Sequence, residues 1–294
     1  MKTKILILSM VLSVMTISCS KDKNDDNTNI TPEEASINSK LDIATDDAID
    51  VISEQETNTY TNNTNKGAFE SPANIYAPAC LTVTRNPDFG TALTVGQTVT
   101  KTLDFSATGC TLPNGNIVKG QIVISFVYEP NATSHTVTFT FNNFYHNNIK
   151  INGTKTYTRT MTPTTPNSAS HPIVTVNIDL TATLPDGRVF TRTGQRVREF
   201  IAGYGNSTIA DDQHSVTGSW TTTFPNTTTQ TATITTPLLL KMSCISAQKP
   251  IIVQGVITYV RGSHTATLDF GDGTCDNIAT FTKNGVTVQI VIGN

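Results

Sequence analysis

The chain has 294 residues and a formal net charge of −3, with only 15% charged side chains and 53 threonines. Threonine loses side-chain freedom in a helix and packs well on a pleated surface, so this composition excludes coiled coils, helical bundles and Rossmann-type α/β folds. A pI near 5.9 with interspersed charge leaves no basic stripe for nucleic acid, and no apolar run of membrane-spanning length follows the N-terminus.

The first element is a leader. Lys2 and Lys4 precede an apolar stretch from Ile5 to Ile17, followed by Ser18 and Cys19, which predicts a secretory signal over residues 1–18. A Cys directly after the apolar stretch resembles the lipobox of bacterial lipoproteins, with Thr16 and Ile17 in the looser Bacteroidetes form. The resemblance implies that Cys19 is diacylated and becomes the mature N-terminus; the alternative is an ordinary signal peptide cut elsewhere. Ser20 and the Lys/Asp run from Lys21 to Asp26 resemble the sorting signals of Bacteroidetes lipoproteins. They imply an outer-membrane address facing the cell exterior, against the plainer reading of a soluble spacer.

Residues 20–70 hold twelve acidic and four basic side chains, whereas residues 71–294 hold eleven and fourteen. The negative charge is therefore assigned to a tether, residues 19–70, that includes one helix. Thr31, Pro32, Glu33 and Glu34 form a capping box with Pro at the first helical position, and Ile37, Leu41, Ala44, Ala48 and Ile52 recur at helical spacing. This predicts a helix over about 32–56 with its acidic side in water. Thr57 to Lys66 reads as a flexible linker.

From about Ala79 onward the chain alternates with period two, as in Gln121–Tyr128, Thr136–Phe141, Ile173–Leu184, Ser215–Phe224, Ile251–Val260 and Val286–Ile292. Asn114-Gly115, Asn152-Gly153, Asp186-Gly187, Asp272-Gly273 and Asn284-Gly285 supply turn chemistry between such runs. Twelve to fourteen strands are expected in a single all-β domain over residues 71–294. The architecture expected is an antiparallel, hairpin-rich β-sandwich or partly closed barrel, preceded by the short helix and acidic tether.

Setting Cys19 aside leaves Cys80, Cys110, Cys244 and Cys275, the number for two disulfides in an exported protein. Thr102-Leu103-Asp104-Phe105 stands five residues before Cys110, and Thr267-Leu268-Asp269-Phe270 stands five before Cys275. The upstream cysteines lie 110 − 80 = 30 and 275 − 244 = 31 residues earlier. The matched spacing pairs Cys80 with Cys110 and Cys244 with Cys275, within an internal repeat.

Residues 269–273, DFGDG, followed by a strand pair, resemble the signature of PKD domains, immunoglobulin-like sandwiches of bacterial surface proteins, with Leu268 where that family usually has Trp. More widely, the lipobox, the TLDF…GC…NG units, R-x-R-E-F…GYG and GDGTCDN are similar to an uncharacterised family of Bacteroidetes, Flavobacterium-type, surface lipoproteins. That likeness implies location and an all-β fold, and no known reaction.

Chemistry-bearing constellations are sparse. Asp269, Asp272 and Asp276 offer oxygen ligands to a cation such as Ca²⁺, or else bond their own turn amides. His214 beside Asp211 and Asp212 offers an acid/base cluster for a hydrolase, or a surface loop. Arg188, Arg192, Arg196 and Arg198 put positive charge along one strand, facing an anionic ligand or solvent. Trp220, Phe139, Phe141, Phe144 and Tyr145 offer a sugar platform or simply core. His135, His146, His171 and His264 fit no metal-binding spacing, and no cofactor motif is present. The expectation is a lipid-anchored, non-enzymatic binding or structural module with a membrane, glycan or envelope-protein partner. A glycan- or calcium-binding adhesion module and a hydrolase are the alternatives.

Overall fold

The computed structural model describes residues 29–62, 75–165, 167–206 and 208–292; the signal segment expected over residues 1–18 and the expected lipidation site Cys19 lie outside them. The helix, α1 (Pro32–Asn62), begins at the predicted capping box: Thr31 N donates to Glu34 Oε2 at 3.0 Å and Glu34 N donates to Thr31 Oγ1 at 3.2 Å. Two orphan amides are thereby satisfied reciprocally.

Fifteen strands follow. The first seven are β1 (Thr82–Asn86), β2 (Thr98–Asp104), β3 (Cys110–Thr111), β4 (Ile117–Val127), β5 (Ser134–His146), β6 (Ile149–Asn152) and β7 (Thr154–Thr162). After these come β8 (His171–Thr183), β9 (Val189–Ala202), β10 (Gln213–Thr223) and β11 (Thr229–Lys241). The last four are β12 (Ile252–Arg261), β13 (His264–Asp272), β14 (Ile278–Lys283) and β15 (Val286–Val291). All belong to one sheet ordered β1-β2-β4-β5-β6-β8-β9-β10-β11-β12-β13-β14-β15, with β3 on β4 and β7 between β5 and β8. Every pairing is antiparallel, so the fold is the hairpin-rich all-β architecture expected, with one N-terminal helix.

Alternation decides what each face does. Ile122, Ile124 and Phe126 of β4 and Val137, Phe139 and Phe141 of β5 point inward and are buried. The outer face carries hydroxyl pairs across strands, such as Thr136 with Thr158 at 3.0 Å and Thr235 with Thr258 at 3.0 Å. This face accounts for much of the threonine content, since β-branched polar residues suit a pleated, half-wet surface.

The inner face wraps α1. Helix side chains reach Asn116 and His146 on one side of the sheet and Arg192, Thr222 and Arg261 on the other. The two halves of the sheet therefore face each other across the helix, a sandwich-like section filled by α1. Leu41, Ala44, Ala48 and Ile52 share one core with Leu103, Phe139, Trp220 and Leu268. The expected placement of this helix in a water-facing tether is corrected here. Ile43, Ile49 and Val51 are buried as well as the predicted stripe, and Asp42, Asp46 and Asp47 are buried with them.

The remaining turn expectations divide. Asp186-Gly187 and Asn284-Gly285 join β8 to β9 and β14 to β15. Asn152-Gly153 makes no hairpin: β6 and β7 lie in line between the same neighbours, and Gly153 lets the backbone of β8 approach. A Cβ there would stand 2.4 Å from the Asp179 carbonyl oxygen. The hairpin after β5 turns at Asn147-Asn148 instead, with Asn147 at φ 51°.

The repeat is visible in the backbone. Asp104 Oδ1 accepts from Ser106 N at 2.8 Å, and Asp269 Oδ1 accepts from Gly271 N at 2.9 Å. Leu103 and Phe105 are buried like Leu268 and Phe270. Each unit closes on its own cysteines, Cys80 with Cys110 and Cys244 with Cys275, with Cα atoms 5.9 Å and 5.3 Å apart.

Candidate functional site

The charged residues of greatest interest lie inside the sheet. Asp42, Asp46 and Asp50 follow one another at four-residue spacing, which places them on one helix face about 6 Å apart. On β9, Arg192, Gly194, Arg196 and Arg198 share the inward parity, with Arg196 and Arg198 about 7 Å apart. The two rows meet as a ladder. Arg192 Nη1 donates to Asp42 Oδ1 at 2.6 Å, Arg196 Nη2 to Asp46 Oδ2 at 3.2 Å, and Arg198 Nη1 to Asp50 Oδ1 at 2.7 Å.

Gly194 makes room for the ladder's spacer. Trp220 pairs with it across β9 and β10, and the Arg192 and Arg196 guanidiniums stand 5.0 Å and 5.8 Å from the indole ring. A Cβ on residue 194 would fall 2.5 Å from Trp220 Cβ. Burial pushes the Asp46 carboxyl up against the pull of Arg196 and Arg198, and pushes Asp50 up to about 7 against Arg198.

Two further carboxylates of α1 are clamped the same way. Asp47 accepts from Asn114 Nδ2 at 2.7 Å and Asn116 Nδ2 at 2.8 Å, with His146 Nε2 2.7 Å away. Glu56 accepts from Tyr157 and Arg159 at 3.2 Å and 3.1 Å, and His135 Nδ1 lies 3.5 Å from it. Glu54 takes the backbone amides of Ile75, Tyr76 and Ala77, tying the segment before β1 to the helix. Lys101 donates to the Gln55 carbonyl, and burial lowers its ammonium to about 7.

These contacts settle the arginine candidates. Arg192, Arg196 and Arg198 face neither solvent nor an external anion; the helix carboxylates occupy them. Arg188 alone is outside, pairing with Glu33 at 2.7 Å and Asp186 at 2.8 Å. The aromatic candidates divide similarly. Trp220, Phe139, Phe141 and Phe144 are core, and only Tyr145 is half-exposed, with Lys119 Nζ 4.6 Å from its ring centre.

His214 is buried on β10 against the Phe200 ring, its Nε2 has no hydrogen-bond partner, and burial holds it well below the usual imidazole range. Asp211 is exposed and accepts from Asn206 Nδ2, so the three residues do not assemble into a hydrogen-bonded acid/base set. Asp269, Asp272 and Asp276 each accept from the amide two residues on, of Gly271, Thr274 and Ile278. Among the described residues no three His, Cys, Asp or Glu side chains converge as a metal-ligand set.

One groove of about 470 Å³ opens beside α1, between the turns after β5 and β8, with Ile37, Ile149 and Leu184 on its floor and Lys40 and Arg188 at its edge. Sequence reasoning missed this groove and the carboxylates of Asp47 and Glu56, because their partners lie in strands far along the chain. No known protein family, curated protein or solved structure matches the chain.

Proposed function

We propose that this protein is a lipid-anchored protein of the outer membrane, facing the cell exterior, with a binding or structural role rather than a catalytic one. The sequence support is the Ile5–Ile17 stretch ending at Ser18-Cys19 and its resemblance to Bacteroidetes surface lipoproteins. The structural observation that carries the reading is where the chain enters the domain. Arg261 Nη1 donates to the Asn29 carbonyl at 2.9 Å, and Lys283 Nζ bonds the Asn29 side chain. Asn29 is thereby held at the end of the sheet that carries the β12–β13 and β14–β15 turns, and the nine residues between it and Cys19 can span at most about 30 Å.

A non-catalytic role fits an interior whose aspartates and arginines neutralise one another instead of meeting a substrate. Cys19→Ala tests the anchor: the variant should lose incorporated palmitate and leave the membrane fraction. Retention of both would overturn the reading.

A further inference from the structure

The two edges of the sheet are built differently. β1 carries Arg85, whose guanidinium donates to the Pro87, Asp88 and Thr91 carbonyls, and it runs into Pro87. Charge and proline are the usual devices that stop an edge from recruiting another strand. β15 reads Val-Thr-Val-Gln-Ile-Val, with no charge, no proline and an unbroken register on β14. Val286 is 66%, Val288 43% and Val291 57% exposed, and among the described residues β15 pairs on one side only.

Ladder parity says which groups of β15 point away from β14. The two-residue turn at Asn284-Gly285 makes Lys283 and Val286 a hydrogen-bonded pair, so Val286, Val288 and Ile290 direct their amides and carbonyls to β14. Thr287, Gln289 and Val291 direct theirs outward. The Val291 carbonyl accepts from Ser36 Oγ, and Ile292 N returns to the Asn277 carbonyl, as this parity requires.

We propose that β15 is a homodimerisation edge, pairing antiparallel with β15 of a second copy about a two-fold axis through Val288. The occupant is a second copy because the strand is self-complementary in that register. Thr287 faces Gln289 of the other copy in two hydrogen-bonded pairs that use the outward amides and carbonyls. On the opposite face Val288 meets Val288, and Val286 meets Ile290. This apolar face continues that of Phe281 and Ala279, which pair with Val288 and Ile290 on β14. A two-fold interface needs one patch that matches itself, and this register supplies it.

The test uses the chain from residue 19 onward carrying Cys19→Ser, which keeps every described residue and removes the lone thiol. Sedimentation equilibrium should show a concentration-dependent dimer. Gln289→Pro removes an amide that points away from β14, so it should spare the hairpin and weaken association at least about tenfold, the loss expected for two hydrogen bonds. Independently of any effect on folding, Val288→Cys should give a disulfide-linked dimer under mild oxidation, and Val286→Cys, facing Ile290, should not. A chain that stays monomeric and gives no Val288→Cys dimer overturns the proposal, as does a dimer indifferent to Gln289→Pro. The first of these results would leave the edge to a strand of another protein.

Discussion

Arg192 Nη1 and Asp42 Oδ1 stand 2.6 Å apart with both side chains sealed from water, although 150 positions separate them in the chain. Arg192 also donates to the Asn38 side chain at 2.6 Å, so one guanidinium fixes two turns of the helix against β9. Removing one partner of such a pair strands a buried charge, whereas removing both does not. Arg192→Met should therefore cost about 3–5 kcal/mol, and adding Asp42→Asn should restore much of it. Denaturant melts of the two singles and the double measure this; additive losses would show that the pair is not coupled.

Gly194 provides a second check on the ladder. A methyl group there would stand 2.4 Å from the Ser219 carbonyl oxygen and 2.5 Å from Trp220 Cα and Cβ, so Gly194→Ala should lose about 3 kcal/mol. Gly187→Ala, in a turn with open space around it, should lose about 1 kcal/mol from its φ of 86° alone. Equal losses at the two sites would remove the packing argument for Trp220.

Lys155 is buried over the Phe141 ring, and burial, with Arg192 and Arg196 nearby, lowers its ammonium to about 7. Between pH 7 and about 10.4 the unfolded chain holds this proton and the folded chain does not. Stability from this group therefore rises with pH across that window, and its cost is fully present below pH 7. Lys155→Met should raise the melting temperature at pH 6, corresponding to an effect on the order of a few kcal/mol, with the gain shrinking toward pH 10. A gain independent of pH would assign the effect to packing.

Much of the fold was legible because local rules agree with the global one. The capping box at Thr31–Glu34, the turns at Asp186-Gly187 and Asn284-Gly285, the cysteine pairs and the inward alternation of β4 and β5 all read directly from residue type and spacing. The acidic helix face misled for a definite reason. Carboxylates normally stay in water, and nothing local to residues 42–50 reveals the arginines that receive them. The signal was present only jointly, in Asp42, Asp46 and Asp50 at helical spacing, Arg192, Arg196 and Arg198 at strand spacing, and an acidic N-terminal segment matched to a basic remainder. Asn152-Gly153 misled because a glycine that admits a neighbouring backbone looks, in sequence, like one that makes a turn.

Asp272 Oδ1 takes both the amide and the hydroxyl of Thr274, at 3.1 Å and 2.7 Å, and these bonds hold its carboxyl below the usual range. Asp272→Ala should lower the melting temperature equally with and without calcium. A calcium-dependent rise in the wild-type midpoint that disappears in this variant would instead establish a calcium site at the turn.

Hydrogen exchange along α1 reports most directly on the helix as the filling of the sheet. If the Asp–Arg ladder and the surrounding apolar side chains lock it in place, the amides of Leu41–Ile52 should exchange only through global unfolding, with the same free energy as those of β9. Exchange of these helix amides at a much lower free energy, while β9 stays protected, would show a helix that leaves the sheet on its own and would contradict the account.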